Sequence, residues 1–341
     1  MKRGWMTYFA YAFVMLGMVL GAFPACQRRP LEDPDFFTKV KVKVNVNAIS
    51  NVTCDVYNDK LPVQNIEPTA MHVLFYDIND NSVAAESYIT NVSSESDGSR
   101  SLSGDIAILP GNYKMLVYDF GTESTIVRNY SNFYSAEAYT DPVESSIRSH
   151  FQGKAGESGM IVNQPDHLVV ASSEEENIPW HNDVYTIFTE AKSVVESWYV
   201  QIKVDGAEYI SGAQAVLSGM VGSNHIATDS RQNEPQVSVW FELKKSDDKG
   251  VPVICTVFNT FGRVPDATNK LDITFDIKTV DGKIVQKTYD ISDLFLSEDA
   301  VRHHWLLINE TIKIDPPTST GGGAFDPKVE DWDNVETEIE L

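Results

Sequence analysis

The sequence predicts an all-β protein made of antiparallel β-sandwich domains, and three observations support this fold class. Residues 39–47 alternate valine with lysine or asparagine, the period-two pattern of a strand with one buried and one solvated face. Further short apolar runs follow, bounded by turn pairs such as Pro110-Gly111 and Asp281-Gly282. A chain of 341 residues with 42% hydrophobic residues suits two domains with real cores.

The N-terminus predicts an exported lipoprotein. Lys2 and Arg3 precede an apolar run, residues 6–25, that contains no charged side chain. Cys26 follows the small residue Ala25 at the end of this run, as lipoprotein signal peptidase requires. We therefore expect a signal peptide over residues 1–25, lipidation of Cys26, and a tether over residues 26–37, with two or three acyl chains giving firm attachment. A membrane-spanning helix or an ordinary secretory signal cut near Ala25 are the alternatives.

The charge and cysteine content exclude several kinds of partner and site. The chain carries 49 acidic residues against 27 basic ones, and removing the signal takes two of the basic residues away. The negative electrostatic field of such an acidic protein repels nucleic acid and anionic lipid headgroups. Apart from Cys26 only Cys54 and Cys255 remain, and their spacing resembles no metal site. Whether these two pair is left open.

The first half of the chain predicts one sandwich, over residues 38–173. After the strand at 39–47, residues 71–78 form a second apolar strand that ends in the turn residues 79–82. A third strand reaches Pro110-Gly111, which we expect to form a tight hairpin with the apolar strand at 114–119. Apolar strands around Pro-Gly-x-Tyr, here ending in Tyr113, are typical of transthyretin-type sandwiches. The charged, proline-containing stretch 174–183 predicts a linker between domains.

The second half, residues 184–341, predicts another sandwich. Strands are expected at 184–190, 194–204, 236–243, 251–262, 271–280, 284–291 and 306–314, with Asp281-Gly282 forming a hairpin. Residues 210–221 fit either a short helical turn or a bulged strand.

An aromatic loop at residues 129–139 has two interpretations. Its rings either plug the end of a sandwich or stack on a sugar. The second interpretation leads to an alternative function, a glycan-binding surface lipoprotein of a polysaccharide-uptake system, with Tyr130, Tyr134 and Trp180 in the ligand surface.

The C-terminal segment, residues 324–341, predicts a strand that adds to a sheet edge. It carries seven acids against one lysine, yet Val335, Thr337, Ile339 and Leu341 alternate with the acids. A free acidic tail needs no such apolar positions, so we expect edge addition, to this chain's own sheet or to a partner's.

Recognisable catalytic chemistry is missing from the sequence. It contains no Ser, His and acid arrangement, no phosphate-cradling glycine loop, and no paired-cysteine or His-Glu metal motif. We therefore expect a protein that is not an enzyme and needs no cofactor or metal.

A series of short motifs runs in order along nearly the full length of the chain. Beside Cys26, they are Arg28-Arg29-Pro30-Leu31, Asp33-Pro34, Pro110-Gly111-Asn112-Tyr113, Leu217-Ser218-Gly219-Met220, Asn259-Thr260-Phe261-Gly262, Asp281-Gly282, Gly321-Gly322-Gly323-Ala324-Phe325-Asp326 and Val329-Glu330-Asp331-Trp332. In these motifs the chain resembles the Bacteroidales lipoproteins related to fimbrillins and fimbrial anchors.

The resemblance implies two transthyretin-like sandwiches in tandem and a role in fimbria. In that family, pilin subunits join when a strand of one completes the sheet of the next. Polymerising pilins lose their first strand to a protease, whereas anchors keep their N-terminus and lipid. The expected function is thus a fimbrial anchor or accessory subunit of the outer membrane, exposed at the surface, with pilin-like partners.

Overall fold

The computed structural model describes residues 36–47, 67–94, 100–120, 122–154, 159–264 and 270–317, which are nearly all β-structure. The strands are β1 (Thr38–Asn47), β2 (Met71–Asp77), β3 (Val83–Ile89), β4 (Asn91–Ser94), β5 (Arg100–Ile108), β6 (Gly111–Asp119), β7 (Thr125–Arg128), β8 (Glu137–Thr140), β9 (Ile161–Asn163), β10 (Val169–Ile178), β11 (Tyr185–Ser193), β12 (Glu196–Asp205), β13 (Ile210–His225), β14 (Ser230–Asp248), β15 (Val251–Thr260), β16 (Asp272–Thr279), β17 (Ile284–Asp290) and β18 (Trp305–Lys313). The described residues also contain two short α-helices, α1 (Ser145–His150) and α2 (Glu298–His303).

The first sandwich is one eight-stranded sheet that folds over on itself. Its strand order is β3-β2-β6-β10-β11-β1-β5-β4. One apolar cluster takes side chains from both halves of the sheet, for example Val44 of β1 and Phe75 of β2. The layers also meet at the side, where a Cβ on Gly104 of β5 would lie 2.6 Å from the side chain of Ile89 in β3. The core therefore lies between two layers of the same sheet.

The second sandwich is a sheet in the order β17-β16-β13-β14-β15-β12-β18. Strand β14 bends between its layers, pairing with β13 through residues 230–243 and with β15 through residues 244–248. Phe241 and Phe258 stack across its core at 4.3 Å between ring centroids. Together, the two sheets confirm the predicted tandem β-sandwich fold.

A third apolar cluster joins the sandwiches. It combines the outward face of β2 and β6, including Leu74 and Leu116, with Val221, Phe261 and Val264 of the second sandwich. Phe133 belongs to the same cluster. All of these side chains are almost fully buried. Burial of this extent favours a fixed arrangement of the two sandwiches.

The boundary between the sandwiches differs from the predicted one. Residues 174–178 are not a linker but part of β10, and β11 pairs in parallel with β1 in the first sheet. The chain crosses between Ser193 and Glu196. Strands β8 and β9, whose residues fall within the predicted bounds of the first domain, pair with β13 and β14 of the second sheet. Period-two alternation shows that a segment is a strand, but not which sheet it joins.

The Pro110-Gly111 prediction was wrong in one respect. The chain does turn there, yet β5 pairs with β1 and β4 while β6 pairs with β2 and β10, so the two strands are not a hairpin. The turn instead connects the two layers of the sandwich. Tyr113 packs beside it, donating from its hydroxyl to the carbonyl of Leu109 at 2.9 Å.

The remaining turn predictions are resolved clearly. Strands β16 and β17 form the expected hairpin at Asp281-Gly282, and Gly282 has a φ of 78°. Residues 210–221 belong to the bulged strand β13.

Cys255 is a buried free cysteine in β15, and Cys54 lies outside the described residues.

Buried Asp119 makes the stability of the first sandwich depend on pH. Its Oδ1 accepts a hydrogen bond from the Val169 amide at 2.7 Å, and burial raises the pKa of the carboxyl to about 7. A pKa raised in the folded state favours folding while the carboxyl is protonated, so this contribution falls as pH rises from about 4 to 7. We expect Asp119→Asn to raise the free energy of unfolding by up to about 4 kcal/mol at pH 8, about 1.4 kcal/mol for each of about three pKa units, and by almost nothing near pH 4.

Urea unfolding at several pH values measures this difference. Asp105→Asn, an exposed carboxyl on β5, is the matched control and should change stability by less than about 0.5 kcal/mol at every pH. A gain for Asp119→Asn that does not vary with pH would contradict the assignment.

Candidate assembly surfaces and an aromatic cleft

The first strand is an interior part of the first sandwich. Strand β1 runs parallel to β11 over eight residue pairs and antiparallel to β5 over nine. Its four valines point into the core and are buried, whereas Lys39 and Lys41 are exposed. The strand thus closes the sheet, because removing it would separate β11 from β5 and open a groove lined by core side chains.

The second sandwich ends in two edge strands that flank one groove. Among the described residues, β17 pairs only with β16, and β18 pairs only with β12. The groove between them has a volume of about 400 Å³ and is lined by apolar Ile291, Leu294 and Leu307 together with polar Asn309 and Glu310. An edge with unpaired backbone groups can accept a further strand.

A bulge protects part of the β18 edge. Ile202 of β12 is opposite Ile308, but the next residue, Lys203, is opposite Thr311, so Asn309 and Glu310 have no partner in the ladder. Bulges and charged side chains limit unwanted pairing at sheet edges. Strand β18 is also the last described strand, and the chain leaves it toward the predicted C-terminal strand.

An aromatic cleft lies on the outer face of the first sandwich. It has a volume of about 320 Å³ and is lined by His72, Tyr88, Tyr118, Phe120, Thr122, Thr125, Ile126, Val127 and Tyr130. The His72 ring stacks on Tyr88 at 4.5 Å between centroids and meets Tyr118 and Tyr130 edge-on. Phe120 meets Tyr88 edge-on at 5.1 Å.

Hydrogen bonds hold the base of the cleft in place. Buried His72 contacts the Tyr118 hydroxyl through Nδ1 at 2.9 Å and a Glu86 carboxylate oxygen through Nε2 at 3.1 Å. Burial lowers the pKa of His72, although the hydrogen bond and charge of Glu86 act in the opposite direction. Burial also raises the pKa of Tyr118. Burial thus favours the neutral forms of both the imidazole and the phenol at the base.

The structure separates the three aromatic residues proposed for a glycan surface. Tyr130 lines the cleft, and its backbone carbonyl accepts from the Tyr76 hydroxyl at 2.8 Å. Tyr134 packs instead against Lys114, whose Nζ lies 4.1 Å from the ring centroid. Trp180 is exposed after the end of β10 and does not line the cleft. Phe133 from the same loop is fully buried in the apolar cluster that joins the two sandwiches.

Sequence reasoning missed most of the cleft. His72 could have been placed with Leu74 and Tyr76 by the alternation of β2, but Tyr88 comes from β3, which was not predicted as a strand. The predicted lipidation site Cys26 and the segment 324–341 both lie outside the described residues. No helix in the described part of the chain is long and apolar enough to span a membrane.

Comparisons with known proteins agree with the resemblance in the sequence. A curated relative from Bacteroides ovatus, named "Putative fimbrium anchoring subunit Fim4B", is 23% identical over 363 residues, covering 96% of this chain and 98% of the relative. A crystal structure of a "putative adhesin" from Bacteroides ovatus has a TM-score of 0.59 at 20% identity, covering 86% of this chain and 97% of that chain, and shows the same fold. The fimbrial anchor protein Mfa2 from Porphyromonas gingivalis has a TM-score of 0.44 at 12% identity, with coverages of 80% and 90%.

The family assignment rests on the family model described as a domain of unknown function, DUF5119. This model matches residues 44–242, which is more than half of the chain and spans parts of both sandwiches. The chain belongs to the DUF5119 family.

Proposed function

We propose that this protein is a non-catalytic fimbrial anchor or accessory assembly subunit. Lipid on Cys26 holds it in the outer membrane, facing the surface, and strand complementation joins it to pilin-like subunits. The observation that carries the proposal is the position of β1, which is paired on both sides and buries four valines. In the family that the sequence resembles, a polymerising pilin loses its first strand. A subunit that keeps this strand ends the filament.

The relatives support the same assignment. The similarity to a protein named as an anchoring subunit extends over almost the whole of both chains. Strand addition at a sheet edge uses main-chain hydrogen bonds and needs no catalytic group.

The C-terminal segment is the proposed donor strand. It follows β18, an edge strand beside the apolar groove, and its apolar positions alternate as a strand that inserts one face into a partner requires. Main-chain hydrogen bonds would supply affinity, and Val335, Ile339 and Leu341 would supply specificity.

Copurification from the native host tests the strand-complementation proposal. With a tag in an exposed loop, the full-length protein should retain a stoichiometric pilin-like subunit after detergent extraction. Deletion of residues 325–341 should abolish this recovery, because the donor strand is removed. Recovery of the full-length protein alone would count against the proposal.

Two sets of substitutions distinguish insertion of the strand from an electrostatic contact made by its acidic residues. Val335→Asp with Ile339→Asp places charges on the inserting face and should reduce recovery of the partner at least tenfold. The matched control changes only the alternate acids, Glu336→Gln, Glu338→Gln and Glu340→Gln, and should leave recovery within about twofold. Equal loss in both sets would indicate an electrostatic contact rather than strand insertion.

A further inference from the structure

The aromatic cleft is a second feature that strand pairing does not use. It lies on the face of β2 and β6, next to β3, whereas the proposed donor strand follows β18 of the other sandwich. Its function is therefore independent of the anchor assignment and can fail or succeed separately.

The cleft presents ring faces to solvent on a rigid base. Tyr88, Phe120 and Tyr130 are 58%, 45% and 41% exposed, although each belongs to one connected set of ring contacts around buried His72. Exposed aromatic rings that converge on one concave site mark a binding surface rather than incomplete packing. The hydrogen bonds of His72 to Tyr118 and Glu86 keep the base from turning.

The size and chemistry of the cleft indicate the class of ligand. A volume of about 320 Å³ lies at the lower end of the range for small-molecule sites and suits a compact ligand better than an extended peptide. Its lining combines ring faces with hydroxyl groups, those of Tyr88 and Tyr130 among them. A pyranose ring offers the matching pair of surfaces, since its C–H face packs on an aromatic ring while its hydroxyls form hydrogen bonds.

Charge narrows the class further. The lining contains no lysine or arginine, Glu86 contacts His72 at the base of the cleft, and the chain carries a net charge of −22. An anionic ligand would meet a repulsive field with no lysine or arginine to pair with. We propose that the cleft lined by His72, Tyr88, Phe120 and Tyr130 binds one ring of a neutral saccharide, stacked on the exposed aromatic faces.

Saturation-transfer NMR on the intact protein tests the proposal. The probes are glucose, galactose, mannose and N-acetylglucosamine, each at 10 mM, with glucuronic acid as the charged counterpart of glucose and a tyrosine- and proline-containing peptide as a macromolecular competitor. At least one neutral sugar should receive saturation through its ring C–H protons, and glucuronic acid should not. Absence of transfer to every neutral sugar, or preferential binding of the peptide, would overturn the proposal.

Substitutions of aromatic residues test whether the sugar binds in the cleft. Tyr88→Leu and Tyr130→Leu keep apolar bulk at exposed positions but remove the ring, so each should weaken sugar binding at least tenfold. Tyr134→Leu is the matched control, since Tyr134 comes from the same loop as Tyr130 but packs on Lys114 outside the cleft. The Tyr134→Leu protein should bind the sugar with an affinity within twofold of the unchanged protein. Unchanged binding in both cleft variants, or equal loss in the control, would overturn the assignment.

Discussion

Replacing Val44 with aspartate is expected to destabilise the first sandwich strongly. Val44 is fully buried in the middle of β1, between Leu102 of β5 and Thr189 of β11. The substitution removes an apolar side chain from the core and puts an unpaired carboxylate in its place. We expect it to cost more than about 4 kcal/mol, a large part of the 5 to 15 kcal/mol that typically stabilises a domain.

Hydrogen exchange with urea unfolding measures this effect and locates it. Protection should be lost in β1, β5 and β11 first, because these strands share the core that the aspartate disrupts. Lys41→Gln is the matched control, an exposed side chain on the same strand, and should change stability by less than about 0.5 kcal/mol. A Val44→Asp protein that keeps both its stability and its β1 protection would show that β1 does not close the sandwich.

Replacing Gly206 with alanine is expected to destabilise the second sandwich by about 3 kcal/mol. Gly206 follows β12 with a φ of +86°, a backbone conformation that costs an L-residue about 1 to 2 kcal/mol. A Cβ there would also lie 2.3 Å from the carbonyl oxygen of Ile314, whose amide donates to Asp205 at 2.8 Å. The backbone must shift to relieve this contact, which disturbs the point where the chain leaves β18.

Gly250 supplies a matched control for the same substitution. It has a nearly identical φ of +87°, but a Cβ there would meet nothing within 4 Å. Gly250→Ala should therefore lower the free energy of unfolding by only the cost of the positive φ, about 1 kcal/mol. Thermal unfolding of the two variants isolates the clash with Ile314, and equal losses would contradict the close approach seen in the structure.

Local patterns in the sequence predicted most strands correctly because each pattern depends on nearby residues. The valines of β1 alternate in a single run, and Asp281-Gly282 stands between two strands that pair with each other. Pro110-Gly111 shows what a local sequence pattern cannot predict. The pair specifies a sharp change of direction, but whether the flanking strands pair or lie in opposite layers depends on the rest of the sheet.

Features that depend on long-range pairing could not be predicted in the same way. Strand β11 joins the first sheet because β1, more than 130 residues earlier, leaves an edge for it. The cleft likewise needs β2, β3, β6 and the aromatic loop together, so only Tyr130 was anticipated. The lipid on Cys26 and the pairing of residues 324–341 stay predictions.

The most direct test of the anchor function is to measure where the filaments go when Cys26 is replaced. In the native host, the fraction of filament subunits in the culture medium would be compared between Cys26→Ala and the control Cys54→Ala, with fatty-acid labelling to follow lipidation. We predict that Cys26→Ala loses the label and that most filaments move into the medium, while Cys54→Ala leaves both unchanged. Filaments that stay on cells although the Cys26→Ala protein is exported without lipid would contradict the anchor assignment.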